Sequence, residues 1–318
     1  MCGKMIPCGS MESLQIHFTL EFYRTHAVLD AATANSLLDK VSEILDREPK
    51  LIEIREPCRI YILGDTHGDF KITAHALLHL FPPEGSTHSN FDKIIFLGDF
   101  IDRGLYSIEN INFLMSMKAM FPDRVILIRG NHETREINSR FDFYESVIRR
   151  YGMATFEKYN RIFAKLPLAV LTWNHIFAVH GGIPEGLEHL NDLNGFDDEI
   201  DPENRITFQL LWNDPIEKDG HFFHNLRGKY SQRFGNDAFK YFKDKHAISL
   251  IVRAHEPQKF GVKDYFNMGL ISLDSSHKGK SKIDRIKVFV MEASGEYRVA
   301  SVEEFADLKF NKIFYPND

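Results

Sequence analysis

Cysteine is scarce in this chain. Cys2, Cys8 and Cys58 are the three among 318 residues, and they form neither a Cys-x-x-Cys pair nor an even-numbered framework. That composition excludes a disulfide-stapled secreted scaffold and points to a reducing, cytoplasmic setting. A cationic surplus is lacking as well: 39 Lys and Arg face 45 Asp and Glu, for a net charge of -6 and a pI near 6.2. A dedicated nucleic-acid binder would show the opposite balance, so no nucleic-acid partner is expected. No apolar stretch approaches the length of a membrane span. The opening "MCGKMIPCGS" has a lysine but no apolar segment behind it, and a secretory signal is not expected. Internal repeats, low-complexity tracts and Pro/Gly-rich linkers are also missing, which favours one soluble, intracellular domain behind a short extension at residues 1–34.

What the chain has in quantity is apolar side chains in short runs. Hydrophobic residues make up 43% of it and charged ones 26%, enough to bury a large core. Over residues 29–51, Leu37, Val41, Ile44 and Leu45 recur at helical intervals and Pro49 follows, which predicts a helix at the start of the core. Five runs of strand length come next: "RIYILGD", "KIIFLGD", "VILIRGNHE", "HIFAVHGG" and "ISLIVRAHE". Each is rich in Ile, Val, Leu or Phe and runs straight into Gly, Asp, Asn or His. Helical patterns lie between most of them: "DFKITAHALLHLF", "SIENINFLMSMKAMF", "REINSRFDFYESVIRRYG" and "ATFEKYNRIFAKL". The alternation predicts an α/β protein whose strands are covered on both faces, with its ligand site at the carboxyl ends of strands. After residue 255, two or three strands joined by polar turns should close on an edge, and the acidic stretch 181–205 reads as a long, functionally suspect surface loop.

The polar chemistry gathers at those strand ends. Taken alone, "GDFIDRG" at 98–104 is a solvated turn, because Gly and Asp favour turns. Taken with its neighbours it reads differently: Asp65 and His67 stand in "GDTHGD", Asp99 in "GDFIDRG", Asn131 and His132 in "RGNHE", His180 in "VHGG" and His255 in "RAHE". Carboxylate, imidazole and amide carbonyl suit a borderline divalent ion such as Mn, Fe, Zn or Co, and the donors are too many for one ion. Two ions resolve the count, with Asp65, His67 and Asp99 on the first and Asp99, Asn131, His180 and His255 on the second. The adjacent glycines are then expected to make the sharp turns that aim the ligands inward.

As an ordered set, "GDTHG", "GDFIDRG", "RGNHE", "HGG", "LLWNDP" and "VRAHE" resemble the motifs of the phosphoprotein phosphatases, the metal-dependent serine/threonine protein phosphatases of the calcineurin-like metallophosphoesterase superfamily. The likeness covers roughly residues 35–260. It implies a catalytic domain over 35–318, a central β-sandwich of mixed sheets flanked by helices, and a dinuclear metal site, manganese first and iron or zinc next. It also implies direct hydrolysis of a phosphate monoester on a phosphoprotein, with a metal-bridging hydroxide as nucleophile. Arg103 and Arg227 match the family's phosphate-binding arginines, and His132, oriented by Asp102, matches its general acid.

The likeness breaks in two places. Asp69 stands where the eukaryotic enzymes usually carry glutamine, which adds a carboxylate near the site. The family's Ser-Ala-Pro-Asn-Tyr segment is replaced by "LISLDSSHKG", leaving Ser275, Ser276 and His277 as alternative occupants of the tyrosine's space. Three functions remain open: a phosphoserine/phosphothreonine phosphatase, with or without phosphotyrosine activity given the altered loop, a small-molecule phosphohydrolase such as a diadenosine tetraphosphatase, and a binding module without catalysis.

Overall fold

In the computed structural model, which describes residues 20–80, 92–276 and 287–301, helix α1 (Leu20–Ala27) leads into α2 (Ala31–Leu45). The Asp30 carboxylate starts α2 by accepting from the Thr33 N–H at 2.7 Å. Its buried stripe is Ala34, Leu38, Val41 and Leu45; Leu37 and Ile44, which the spacing also nominated, lie half-buried at the margins. The chain continues through β1 (Leu51–Ile54), β2 (Ile60–Leu63), α3 (Phe70–Leu80), β3 (Lys93–Phe96), α4 (Ser107–Met120), β4 (Val125–Leu127), α5 (Arg135–Asn138), α6 (Asp142–Tyr151), α7 (Met153–Lys165), β5 (Ala169–Thr172) and β6 (Ile176–Val179). Beyond a 3-10 turn at Leu190–Gly195 come α8 (Arg205–Trp212), β7 (Asp214–Pro215), β8 (Phe222–His224), β9 (Gln232–Phe234), α9 (Asn236–His246) and β10 (Leu250–Arg253). The last strands are β11 (Val262–Tyr265), β12 (Leu270–Leu273), β13 (Lys287–Met291) and β14 (Tyr297–Ser301).

Alternating side chains sort these strands into layers. One sheet has the order β14-β13-β2-β3-β4 and the other β1-β5-β6-β10-β12-β11. Ile60 and Ile62 of β2 join Ile95, Val170, Ala178, Leu250 and Val252 in an apolar layer between the sheets. Tyr61 and Leu63, of opposite parity, pack outward with residues of α1 to α4, α6 and α7. On the second sheet, Phe177, Val179 and Ile251 pack outward against residues of α8 and α9. The result is a mixed-sheet sandwich between helical layers, and β14 forms the edge expected after residue 255.

Two expectations need correction. "REINSRFDFYESVIRRYG" reads as one helix, yet the chain interrupts it between α5 and α6. Phe141 is extended there, and the Asp142 carboxylate is turned away to accept from the Arg103 N–H at 2.7 Å and the Ser107 hydroxyl at 3.2 Å. The stretch 181–205 is less a free loop than a pinned one: Asn194 accepts from the Leu51 N–H, Asp198 pairs with Lys50, and the Arg129 guanidinium donates to the carbonyls of Glu199 and Ile200. Within the stretch read as an extension, Tyr23 packs against Phe70 and Phe113. Residues 1–19 and 277–286, His277 among them, lie outside the described residues.

Candidate metal centre where two sheets meet

Parallel pairing of β2, β3 and β4 brings three strand ends to one rim, and parallel pairing of β6 and β10 does the same for the other sheet. The loops beyond are stitched together: the N–H groups of Thr66 and His67 donate to the Asp99 carbonyl at 3.2 and 2.8 Å, and that of Gly68 to the Phe100 carbonyl at 2.9 Å. Five site residues take left-handed backbone conformations, with φ of 43° at His67, 53° at Asp99, 67° at Asp102, 69° at Arg103 and 69° at His255. Such conformations are costly for residues with a Cβ and persist where the surroundings enforce them. Here the buried Glu133 does much of the enforcing. Its Oε2 accepts from the N–H groups of Asp99 (2.7 Å) and Gly130 (3.0 Å), and its Oε1 from that of Phe100 (2.8 Å). Gly98, at φ 98°, makes the turn expected of it. Gly130 has another reason: a Cβ there would stand 2.4 Å from both N and Oδ1 of Asp99.

All six expected metal ligands converge. Nε2 of His67 lies 3.8 Å from Asp65 Oδ2 and 3.6 Å from Asp99 Oδ2. Nε2 of His180 lies 3.4 Å from Asp99 Oδ1, and Asp65 Oδ1 accepts from the His255 N–H at 3.0 Å. In two of the histidines Nδ1 faces a backbone carbonyl, Ile101 for His67 (3.1 Å) and Leu97 for His180 (2.7 Å). Those carbonyls fix the proton on Nδ1 and leave each Nε2 lone pair facing the centre. His67, Asp99 and His132 form one group of closely spaced donors, and Asp99, His180 and His255 form a second.

The electrostatics fit divalent cations. Burial, then the Asp99 charge, pushes the Asp65 carboxyl up to about 7, and burial pushes Glu133 up to about 8. Burial holds His180 down to about 4 and His255 well below the ordinary imidazole value, keeping both neutral as metal ligation requires. The Asn131 Oδ1 sits 3.0 Å from His180 Nε2 and 3.0 Å from His255 Nδ1, and 3.3 Å from both Asp99 oxygens. A carbonyl oxygen among lone pairs is repulsive unless the amide turns over to donate or a cation lies between them.

His132 Nδ1 and Asp102 Oδ2 share a hydrogen bond of 2.7 Å, and His132 Nε2 lies 4.0 Å from Asp99 Oδ2. Burial, then the Asp142 charge, pushes Asp102 up to about 9, so the pair retains a proton at neutral pH. The Arg103 guanidinium lies over the Phe141 ring, 5.6 Å from its centroid. Arg227 donates from Nε to Asp214 at 3.0 Å and places Nη1 3.1 Å from His255 Nε2.

Asp214, which the sequence analysis did not nominate, anchors the site from behind. It is buried and also binds Arg253 (3.0 Å) and Asn225 (3.1 Å), so one carboxylate joins β7, β10 and the loop carrying Arg227. Its place in "LLWNDP" was the available signal. Arg129 and Arg253 are fully buried structural ties, engaged by backbone carbonyls. Asp69 opens α3, its carbonyl accepting from the N–H groups of Ile72 and Thr73. Trp212 stands edge-on to His255 at 5.6 Å and backs it with an apolar ring.

Comparison with known proteins gives a consistent pattern. A family model described as calcineurin-like phosphoesterase matches residues 58–259. The chain is 35% identical over 259 residues to a serine/threonine-protein phosphatase 4 catalytic subunit from Kluyveromyces lactis, covering 81% of each. It is 35% identical over 268 residues to the protein of that name from Eremothecium gossypii, covering 84% of this chain and 83% of the other. A solved protein serine/threonine phosphatase from Saccharomyces cerevisiae, described as similar to human phosphatase PP5, superposes with a TM-score of 0.75 at 25% identity, covering 88% of this chain and 93% of that one. A cold-active protein-tyrosine phosphatase from a Shewanella species shares the fold, with a TM-score of 0.56 at 19% identity and coverage of 81% and 84%.

Proposed function

Because the chain belongs to the calcineurin-like phosphoesterases, and within them to the metal-dependent serine/threonine protein phosphatases, we propose that its substrate is a phosphoserine or phosphothreonine in a protein, with phosphotyrosine also admitted, and that the residues just described divide the work of hydrolysis. One arrangement supports this above others: Asp99 stands in both groups of closely spaced donors, where a bridging carboxylate has to be. Asp65, His67 and Asp99 would hold one divalent ion, and Asp99, Asn131, His180 and His255 the other. We assign manganese, with iron and zinc sharing the donor preference. When bound, the ions supply Lewis acidity, lowering the pKa of water and neutralising phosphoryl charge.

The chain's own groups do the rest. Arg103 and Arg227 grip the phosphoryl oxygens, and Asp214 holds Arg227 in place. His132 protonates the departing serine or threonine oxygen from Nε2, because its Nδ1 is committed to Asp102. Residues 35–318 form the catalytic domain in this reading, after an extension over 1–34. A cytoplasmic setting is the one that the sparse cysteine usage supports. Neither a nucleic acid nor a membrane is assigned as partner, and no helix among the described residues is long and apolar enough to cross a membrane.

The test is phosphate release with added Mn²⁺ from matched phosphothreonine and phosphotyrosine peptides and from diadenosine tetraphosphate, with Asp99→Asn as the blank. Faster metal-dependent turnover of a peptide is expected, with Asp99→Asn losing both rate and metal content. Preference for the dinucleotide would move the chain to the small-molecule phosphohydrolases.

A further inference from the structure

Beside the candidate metal centre lies a half-open cavity of about 320 Å³. Two of its lining residues, His67 and Arg103, belong to the site itself. Leu105 and Tyr106 supply apolar wall, and Lys71 and Ser276 complete the lining used here. Leu105 is 91% exposed. A single exposed leucine means little on its own, because much of any protein surface is apolar. This one is two residues from a phosphate-gripping arginine and lines a cavity continuous with the reaction centre. The ring of Phe141, 38% exposed, lies under the same Arg103 guanidinium, so Arg103 has apolar surface near it from two segments of the chain.

Resting on the protein phosphatase reading, we propose that this cavity is a specificity subsite that takes one apolar side chain, of leucine, methionine or phenylalanine size, from the phosphoprotein substrate. The receiving position is within two residues of the phosphorylated one. An extended peptide advances about 3.3–3.6 Å per residue, so with the phosphate between Arg103 and the metal ligands, a flanking side chain reaches the neighbouring wall. Charge argues for an apolar occupant. With Arg103 engaged by the phosphate in this reading, the other charged side chains of the lining, Lys71 and Asp69, are of opposite sign and offset each other.

Phosphothreonine peptides that are otherwise alanine, with leucine or glutamate placed singly at each of the two positions on either side, test the proposal alongside p-nitrophenyl phosphate. Leucine at one position should raise kcat/KM about tenfold over alanine, mostly through KM. Leu105→Ala should shrink that gain to about threefold or less while leaving the all-alanine peptide and the nitrophenyl ester, which place nothing in the cavity, within about twofold of the parent. Equal kcat/KM across all positions, or a leucine gain that survives in Leu105→Ala, overturns the subsite and leaves the phosphatase reading standing. Turnover of the nitrophenyl ester with none of any peptide overturns both.

Discussion

At the scale of the residue, Asp65 shows how burial couples proton and metal. With its carboxyl raised to about 7, the metal-free site holds a proton below that pH, and an arriving cation must displace it. The sign follows directly: affinity is expected to fall by about tenfold for each pH unit below about 7 from this group alone, and uptake near pH 6 should release a proton. Calorimetry in two buffers of different ionisation enthalpy reads both effects, and a metal affinity flat across that range would remove Asp65 from the ligand set. His132 makes a separate prediction. If it is the acid, His132→Ala keeps its metal and slows esters with poor leaving groups by about 10²–10⁴ while sparing nitrophenyl esters, whose leaving group needs no proton. Equal losses on both would mark a structural role. The candidate ligands, which the structure brings together, were legible in the sequence because each follows a strand in the same narrow vocabulary of Asp, Asn and His. Glu133, Asp142 and Asp214 were not, since each acts through backbone N–H groups or a second side chain, and those partners are set by loop geometry.

At the scale of the element, the five strands that deliver the site were readable because each is sandwiched on both faces and therefore runs almost uninterruptedly apolar. The small sheet of β7, β9 and β8 was not readable, being two or three residues per strand and partly exposed. The break between α5 and α6 escaped for a related reason. Its apolar spacing suits a helix, and only the tie from Asp142 to the Arg103 turn shows why the helix stops. The turns themselves are intolerant. Gly130→Ala drives a Cβ against the Asp99 backbone and carboxylate, within 2.4 Å of each, and against Glu133 Oε2 at 2.8 Å. Displacing Asp99 by even about 1 Å should cost around 10²-fold in rate. Metal content measured beside the rate should fall with it; full occupancy at full rate would show that the turn can yield.

At the scale of the whole molecule, one electrostatic commitment away from the site is Lys118 on α4. It is fully buried, paired with Glu48, and donates to the carbonyls of Pro122 (2.8 Å) and Val125 (2.9 Å). Burial pushes its pKa down and that of Glu48 up. Removing one partner strands the other, so Lys118→Ala should cost about 3–5 kcal/mol and lower Tm by several degrees, with Glu48→Gln/Lys118→Met less harmful. Metal affinity should hold, because the pair belongs to the helical layer and not to the strand ends.

The two donor groups draw on the sheets unequally. His67, Asp99 and His132 all follow strands of one sheet, whereas His180 and His255 follow strands of the other. A cation held by the second group would therefore be a rivet through two plates. Sliding one sheet past the other by a single residue step, about 3.3 Å, would tear its ligands apart while leaving most of the apolar layer between them in contact. Loss of that ion thus becomes a gauge of slip between the plates, sensitive to loosening too slight to register as unfolding.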